Sequence, residues 1–439
     1  MPGVRNAGLT PLDKTRPLQA LTCVEEMPVT SDMETARARA GAESRAAWIR
    51  LVVALTLSTI GGVGMWSFPV ALPAVQADFG VVRADASLPF TFAMLGFGVG
   101  GLAMGSLLDR YGIIAPVIAG VIALALGYIL SGYAPSLWWF AIGHGLIGIG
   151  SSATLGPLMA DVSQWFTQRR GLAVAVASAG NYVAGTVWPP IVQPLIASEG
   201  WRATHIGIGI FCAVTMLPLA LLMLRGRPPA HHVSSAGAAA AQAQGNLGLN
   251  PTTLMVLLCI AGIACCVAMA MPQVHIVAYC GDLGYGPARG AEMLALMMAA
   301  GIISRVATGF IADRIGGIRT LLLGSVLQGV ALFLYIWFDG LVSLYVISAL
   351  FGLFQGGIIP SYAIIIREYF PPREAGTRVG IVLMATLAGM ALGGWMSGAI
   401  FDLTGSYQAA FANGLAWNLL NGVIAFWLLW RPGRRLAPA

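Results

Sequence analysis

From about residue 50 to its end, the sequence is built from apolar runs long enough to cross a lipid bilayer. A helix needs roughly 20 such residues to span a hydrocarbon core of about 30 Å. Twelve runs meet that length: 50–75, 86–107, 113–133, 136–160, 171–196, 204–224, 251–279, 289–311, 317–338, 341–366, 377–401 and 410–430. Their period is helical, unlike the roughly ten-residue alternating strands of outer-membrane barrels. In lipid, only helices and closed barrels satisfy their own backbones. Charged residues are 10% of the chain and apolar ones 57%, against roughly 25% charge in soluble domains. The sequence therefore predicts an all-α membrane protein of twelve transmembrane helices.

The charge is placed by topology. The net charge of +6 invites a nucleic-acid reading, but 20 of the 24 Lys and Arg fall in the tails, at the start of the first span and in alternate loops. Arg83, Arg202 and Arg289 lie in the opposite loops, and Arg305 lies inside a span. Cytoplasmic loops carry such an excess of Lys and Arg, so both termini are expected in the cytoplasm, with a bacterial-type inner membrane as the setting. The six cysteines are mostly within apolar spans and show no metal-ligand spacing. No cofactor is expected.

Residues 1–46 form a polar N-terminal tail expected to be disordered, and 226–250 a Pro-, Ala- and Gln-rich cytoplasmic linker. The linker divides the spans six and six, giving bundles over 47–225 and 251–430 and a short tail over 431–439. Pro69 and Pro73 in the first span are expected to break helical hydrogen bonding, tolerable where neighbours or a cavity satisfy the backbone; the fifth span is expected to break at Pro189-Pro190, and Gly200-Trp201-Arg202 to turn.

An offset of 204 residues aligns the halves. Gly105, Asp109, Arg110 and Gly112 fall on Gly309, Asp313, Arg314 and Gly316, and Gly148 falls on Gly352. The same turn at the same place in both halves implies two pseudo-symmetric six-helix bundles, with a site at their interface near the midplane.

These paired G-x-x-x-D-R-x-G turns resemble those of the major facilitator superfamily, and the likeness covers about 50–430. The resemblance implies alternating access by rocking of the bundles. It also implies a gating role at the cytoplasmic side for Asp109, Arg110, Asp313 and Arg314 with their flanking glycines. The first copy departs from the pattern, with Ile113-Ile114-Ala115-Pro116 in place of the usual basic run. A narrower resemblance is to the monocarboxylate-porter and oxalate:formate-antiporter branch. It rests on SFPVALPAVQADFGVVRA, GIGSSATLGPLMADVSQWFTQRRGLAVAVASAG, WPPIVQPLIASEGWRA, HIVAYCGDLGYGP and SRVATGFIADRIGG. In that branch an Arg four residues before a Gly on the eighth helix binds the substrate carboxylate, which Arg305 and Gly309 fit. The chain has Gly301 where proton-coupled members commonly place an Asp, and its only Lys is Lys14 in the tail. The usual proton site is thus absent.

Arg305 carries the functional expectation on physical grounds as well. A charge inside the bilayer costs a few kcal/mol or more and faces a cavity or a partner. All 18 acids lie in tails, loops or helix ends, so its partner is water, a carbonyl or a bound anion. A guanidinium fork matches a carboxylate in two parallel hydrogen bonds. His275 and His144 are candidate proton-coupling groups. Tyr279, Asn181, Gln355, Tyr362 and Trp66 are candidates to complete a polar cavity.

The expected function is secondary transport of a small organic anion, a monocarboxylate or dicarboxylate, by symport with protons or by exchange for a counter-anion. The protein is expected to act as a monomer in the lipid bilayer. No enzyme constellation and no Walker lysine occurs. The alternatives are a multidrug or small-molecule exporter of the same fold, and a carboxylate sensor that moves nothing. The fifth span lacks the exporter signature G-x-x-x-G-P-x-x-G-G.

Overall fold

The computed structural model describes residues 44–166, 169–223 and 247–431. Most of the N-terminal tail, the linker and the last residues lie outside that set, so the expectations placed on them do too. The described residues belong to one unit, Ser44–Ala439.

Fifteen helices follow in order: α1 Arg45–Gly61, α2 Val63–Phe79, α3 Arg83–Ala86, α4 Leu88–Tyr111, α5 Ile114–Gly132, α6 Leu137–Ser152, α7 Gly156–Trp165, α8 Arg170–Met223, α9 Pro251–Asp282, α10 Pro287–Ile315, α11 Gly317–Trp337, α12 Leu341–Gln355, α13 Ile358–Tyr369, α14 Pro372–Thr404 and α15 Tyr407–Trp430. Strands do not occur among the described residues.

Ten helical spans are long and apolar enough to cross a membrane. The sequence gives twelve runs, and the difference lies at two places. Helix α8 has 54 residues, about 80 Å at helical rise and far more than one bilayer. Its backbone leaves helical geometry at Gly200, where φ is 81° and ψ is 159°, so it comprises two passages. Helices α6 and α7 form one interrupted run, broken between Ser152 and Gly156.

The fifth span does not break at Pro189-Pro190 as the sequence predicts. Pro69 and Pro73 lie inside α2, and Pro189, Pro190 and Pro194 lie inside α8. Proline removes one hydrogen bond and is tolerated in a membrane where neighbours and local adjustments compensate. The first span is interrupted only at Gly62, between α1 and α2, where the backbone stays near helical geometry. The sharp reversal occurs at Gly200, because its positive φ is open to glycine without steric penalty.

The internal repeat holds at atomic detail. A Cβ at Gly148 would lie 2.0 Å from the Ala93 carbonyl oxygen, and one at Gly352 would lie 1.9 Å from that of Met297. Both pairs keep the 204-residue offset. In each half this close approach locks the second helix against the fourth, the packing that small residues permit in lipid.

Outside the packed interior, apolar side chains such as Leu102, Leu130, Val214 and Val342 are exposed, as a lipid-facing surface requires. The two D-R turns share one end of the bundle, called here the motif end. The short helix α3 and the turn at Gly200 mark the other, the Arg83 end.

Gly352→Val should lower the melting temperature in detergent by several degrees, because the clash is with backbone. Gly101→Ala, with open space around its Cβ, should leave it within about 2 °C; equal effects would refute the packing account.

Candidate functional site

Three loop cations oppose the positive end, and each has found an acid. Arg202 pairs with Asp78, Arg289 with Glu292 at 3.0 Å, and Arg83 with Asp282 at 3.1 Å. The first two pairs are exposed and stay within their own halves. Exposed pairs of this kind contribute about 0–1 kcal/mol.

Arg83 is different. It is 6% exposed and joins the first half to three places in the second. Its guanidinium donates to Asp282 and to the Tyr407 hydroxyl. Asp402 accepts from the backbone N–H of Arg83 at 2.9 Å and of Ala84 at 2.7 Å. The Phe401 ring lies 4.8 Å from the guanidinium carbon. Gly398 allows the contact, since a Cβ there would lie 2.8 Å from the Arg83 carbonyl oxygen. Deeper along the same seam, Thr91 donates to the Ala391 carbonyl at 3.0 Å. The Arg83 end is therefore closed between α3–α4 and α14–α15.

Among the described residues, the motif end has no comparable latch. Asp109, Arg110, Gly112, Asp313 and Arg314 are exposed, and Gly105, Gly309 and Gly316 lie at the surface or half-buried. Among the described residues, no ion pair involves Asp109, Arg110, Asp313 or Arg314. The second turn is anchored within its own half: Glu368 accepts from the backbone N–H of Gly317 at 2.9 Å, at the start of α11. In the first half, Arg50 and Asp161 form a buried two-pronged bridge at 2.6 and 2.8 Å. The Trp165 ring lies 4.4 Å from that guanidinium.

Between the ends, Arg305 on α10 faces α8. One of its terminal nitrogens donates to the Ser178 carbonyl at 3.5 Å, and the Tyr182 ring lies 4.8 Å from its guanidinium carbon. Its Nε is buried without a partner. A cation over an aromatic face gains about 0.5–2 kcal/mol, short of what full pairing with an acid gives. The Tyr182 ring also explains Gly301: a Cβ there would lie 2.5 Å from that ring. Trp66 joins the group by donating to the Asn181 carbonyl at 2.9 Å and to its side-chain oxygen at 3.1 Å.

The other candidates lie elsewhere. Gln355 accepts from Gln273 at 2.8 Å, and its own amide nitrogen is unpartnered. Tyr362 donates to Asn421 at 3.0 Å inside the second half. His275 and Tyr279 flank the Arg83 latch: both rings contact Tyr407, and His275 Nε2 donates to the Gly394 carbonyl at 2.8 Å. His144 is packed with Phe68 and Phe140 in the first half. The structure thus gathers Arg305, Asn181 and Trp66, and adds Tyr182 and Ser178, which sequence reasoning missed. Arg83 was missed as well, although a charge-poor chain with three outer cations and nearby acids invites a pairing search.

The sequence profile of the Major Facilitator Superfamily matches residues 54–346 and 282–438. The chain belongs to the major facilitator superfamily. It is a multi-pass membrane transporter by family, and its fold agrees. A bacterial homologue of the human lysosomal transporter Spinster, solved in an inward-facing and occupied conformation, superposes with a TM-score of 0.70 at 15% identity, covering 89% of this chain and 98% of that one. The chain is 29% identical over 307 residues to monocarboxylate transporter 13 of Rattus norvegicus, covering 67% of this chain and 68% of the relative. It is 25% identical over 387 residues to human monocarboxylate transporter 11, covering 83% and 79%. It is also 25% identical over 339 residues to the aspyridones efflux protein apdF of Emericella nidulans, covering 76% and 67%.

The latch predicts a chemical readout. Cys280, two residues before Asp282, is buried against Met293. Arg83→Gln should raise maleimide labelling of Cys280 at least about tenfold, since losing a buried, hydrogen-bonded charge pair costs about 2–5 kcal/mol. Cys212, buried in the first half, serves as the unchanged control in peptide mapping. Equal labelling of Cys280 in both proteins would show that Arg83 does not hold this end closed.

Proposed function

We propose that this transporter moves a small organic anion, a monocarboxylate or dicarboxylate, by alternating access, and that Arg305 receives its carboxylate. The observation that carries the reading is the state of the Arg305 guanidinium. It is held by one long hydrogen bond and one aromatic ring, with its Nε buried and unpartnered. A half-buried cation without an acid is poorly compensated, and an incoming carboxylate supplies both charge and the two missing hydrogen bonds. Trp66 and Asn181 shape the wall beside it. The two relatives named as monocarboxylate transporters support the substrate class.

In this reading the motif end is the cytoplasmic end, and the structure represents the state open towards it. Substrate bound at Arg305 favours re-pairing of the halves at the motif end through the D-R turns, as Arg83 releases Asp282 and Asp402. The alternation needs two mutually exclusive closures, one at each end. A sensor that moves nothing needs only one.

Counterflow in proteoliposomes tests the assignment. Vesicles loaded with unlabelled formate, lactate or oxalate should accumulate the labelled anion. Arg305→Ala should reduce exchange to background, while Arg305→Lys should retain a few per cent because an ammonium lacks the planar fork. Wild-type rates in Arg305→Ala would remove Arg305 from the site. Exchange of neutral or cationic compounds in place of anions would favour the efflux reading that the fungal relative suggests.

A further inference from the structure

The first half contains a group that the anion site does not use. His144 on α6 and His205 on α8 are both fully buried, with ring centroids 5.6 Å apart. Each uses its Nδ1 on the carbonyl one turn earlier: His144 on Phe140 at 3.0 Å and His205 on Trp201 at 2.8 Å. Ser131 lies 3.4 Å from the same nitrogen of His144. With Nδ1–H donating, each Nε2 is left with a free lone pair. Both Nε2 atoms are buried and have no partner.

Two such orphans side by side are unusual, because buried polar atoms are nearly always hydrogen-bonded. Bound water could satisfy both. A proton satisfies both more economically, since it turns one Nε2 into a donor while the neighbouring ring, its centroid 5.6 Å away, offers an Nε2 lone pair as acceptor. Aromatic rings surround the pair. Phe140 lies 4.3 Å from His144 and 5.4 Å from His205, Phe68 lies 5.3 Å from His144, and Trp201 lies 5.8 Å from His205. Aromatic faces attract a cation.

The facing groups can be named element by element. From α5, the Tyr128 ring lies 5.5 Å from His205, and its hydroxyl is paired with Ser67 of α2 at 2.6 Å. The Cys212 thiol of α8 lies near Tyr128. At the rim, Arg202 covers Trp201 at 4.2 Å and is paired with Asp78 of α2. Trp201 thus stands between that exposed ion pair and His205.

We infer that His144 and His205 together form the proton-coupling site of this transporter, binding one proton between their two Nε2 atoms during each cycle. The inference rests on the transport reading above and names its coupling ion. The proton enters from the compartment at the Arg83 end, past Asp78, Arg202 and Trp201, and adds to one free Nε2 lone pair. It leaves from the same atom, and no other bond is made or broken. The pair differs from His275, which stands beside the latch with no second imidazole and with Nε2 engaged by Gly394.

A contact path links the pair to the closed seam. Phe68 touches His144 and stacks on Phe90 at 6.3 Å. Phe90 in turn lies against Gly394 on α14, 2.8 Å from the position of a Cβ there. A charge on the pair therefore acts on the surface along which the halves meet at the Arg83 end, the kind of packed two-state element that carries coupling.

The decisive experiment is nitrogen NMR of the full chain in membranes, with 15N-labelled histidine and the signals assigned by His144→Gln and His205→Gln. The two rings should change together at one midpoint between pH 8 and 5, with one proton taken up by the pair. Removing either ring should move the midpoint of the other by at least a full pH unit. Neutral signals for both rings down to pH 5, or two independent titrations, would overturn the inference. A second arm reads transport. An oxalate gradient should drive proton movement, seen with a pH dye, in the wild type, and His205→Gln should lose proton movement while keeping counterflow. Proton-coupled flux unchanged in His144→Gln and His205→Gln would also overturn it. Loss of all anion exchange in the wild type would instead strike the transport reading, and the NMR arm would still decide the proton site.

Discussion

The interaction on which the structure depends is the Arg83 cluster. A single buried guanidinium, with two carboxylates and a phenol from the opposite half, closes one end of the molecule. Among the described residues, the seam continues with one neutral hydrogen bond, from Thr91 to the Ala391 carbonyl, and with small or apolar contacts, Gly394 against Phe90 and Gly398 against the Arg83 backbone. Apolar contacts of this kind have little driving force in lipid, because acyl chains are as apolar as the side chains. Charge-assisted hydrogen bonds are what distinguish the closed seam from a lipid-filled one. The same end is built to be reversible, since Asp282 remains half exposed and ready to be solvated when the pair separates.

The second organising fact is an imbalance. Arg50, Arg83, Arg202 and Arg289 all have acids, whereas Arg305 has a carbonyl and a phenol ring. Tyr182 takes the space that a side chain at position 301 would need, so the seat is shaped to exclude a resident acid rather than merely lacking one. That arrangement separates two tasks that an adjacent Asp–Arg pair would merge. In the proposed mechanism, anion binding stays at the interface of the halves on Arg305. The inferred proton site lies apart from it in the first half, on the two imidazoles of His144 and His205.

Much of this was legible in the sequence. Twelve apolar runs and the 204-residue offset gave the fold, because bilayer thickness and the duplicated turn leave few alternatives. Arg305 was legible as a candidate because a cation in an apolar run must find a partner or a cavity in lipid. The expected helix break at Pro189 and Pro190 does not occur, because a proline inside a packed membrane helix loses one hydrogen bond but keeps its neighbours. The reversal at Gly200 needs a positive φ, which the Gly-Trp-Arg turn did signal. Arg83 was hidden because its partners lie 199 and 319 residues away, and no local pattern reports such distances. His205 was hidden for the same reason: on its own it reads as a packing residue, and only the fold sets it beside His144.

The central claim is that the Arg83 latch and the motif-end turns close alternately. Pulsed electron paramagnetic resonance on a cysteine-free background tests it directly, with one spin-label pair at Val82 and Leu403 and another at Tyr111 and Ile315. Releasing the latch by Arg83→Gln should lengthen the first distance and shorten the second in the same sample. Lengthening of the first with no change in the second, or lengthening of both, would contradict alternation and leave the Arg83 cluster as a simple clasp.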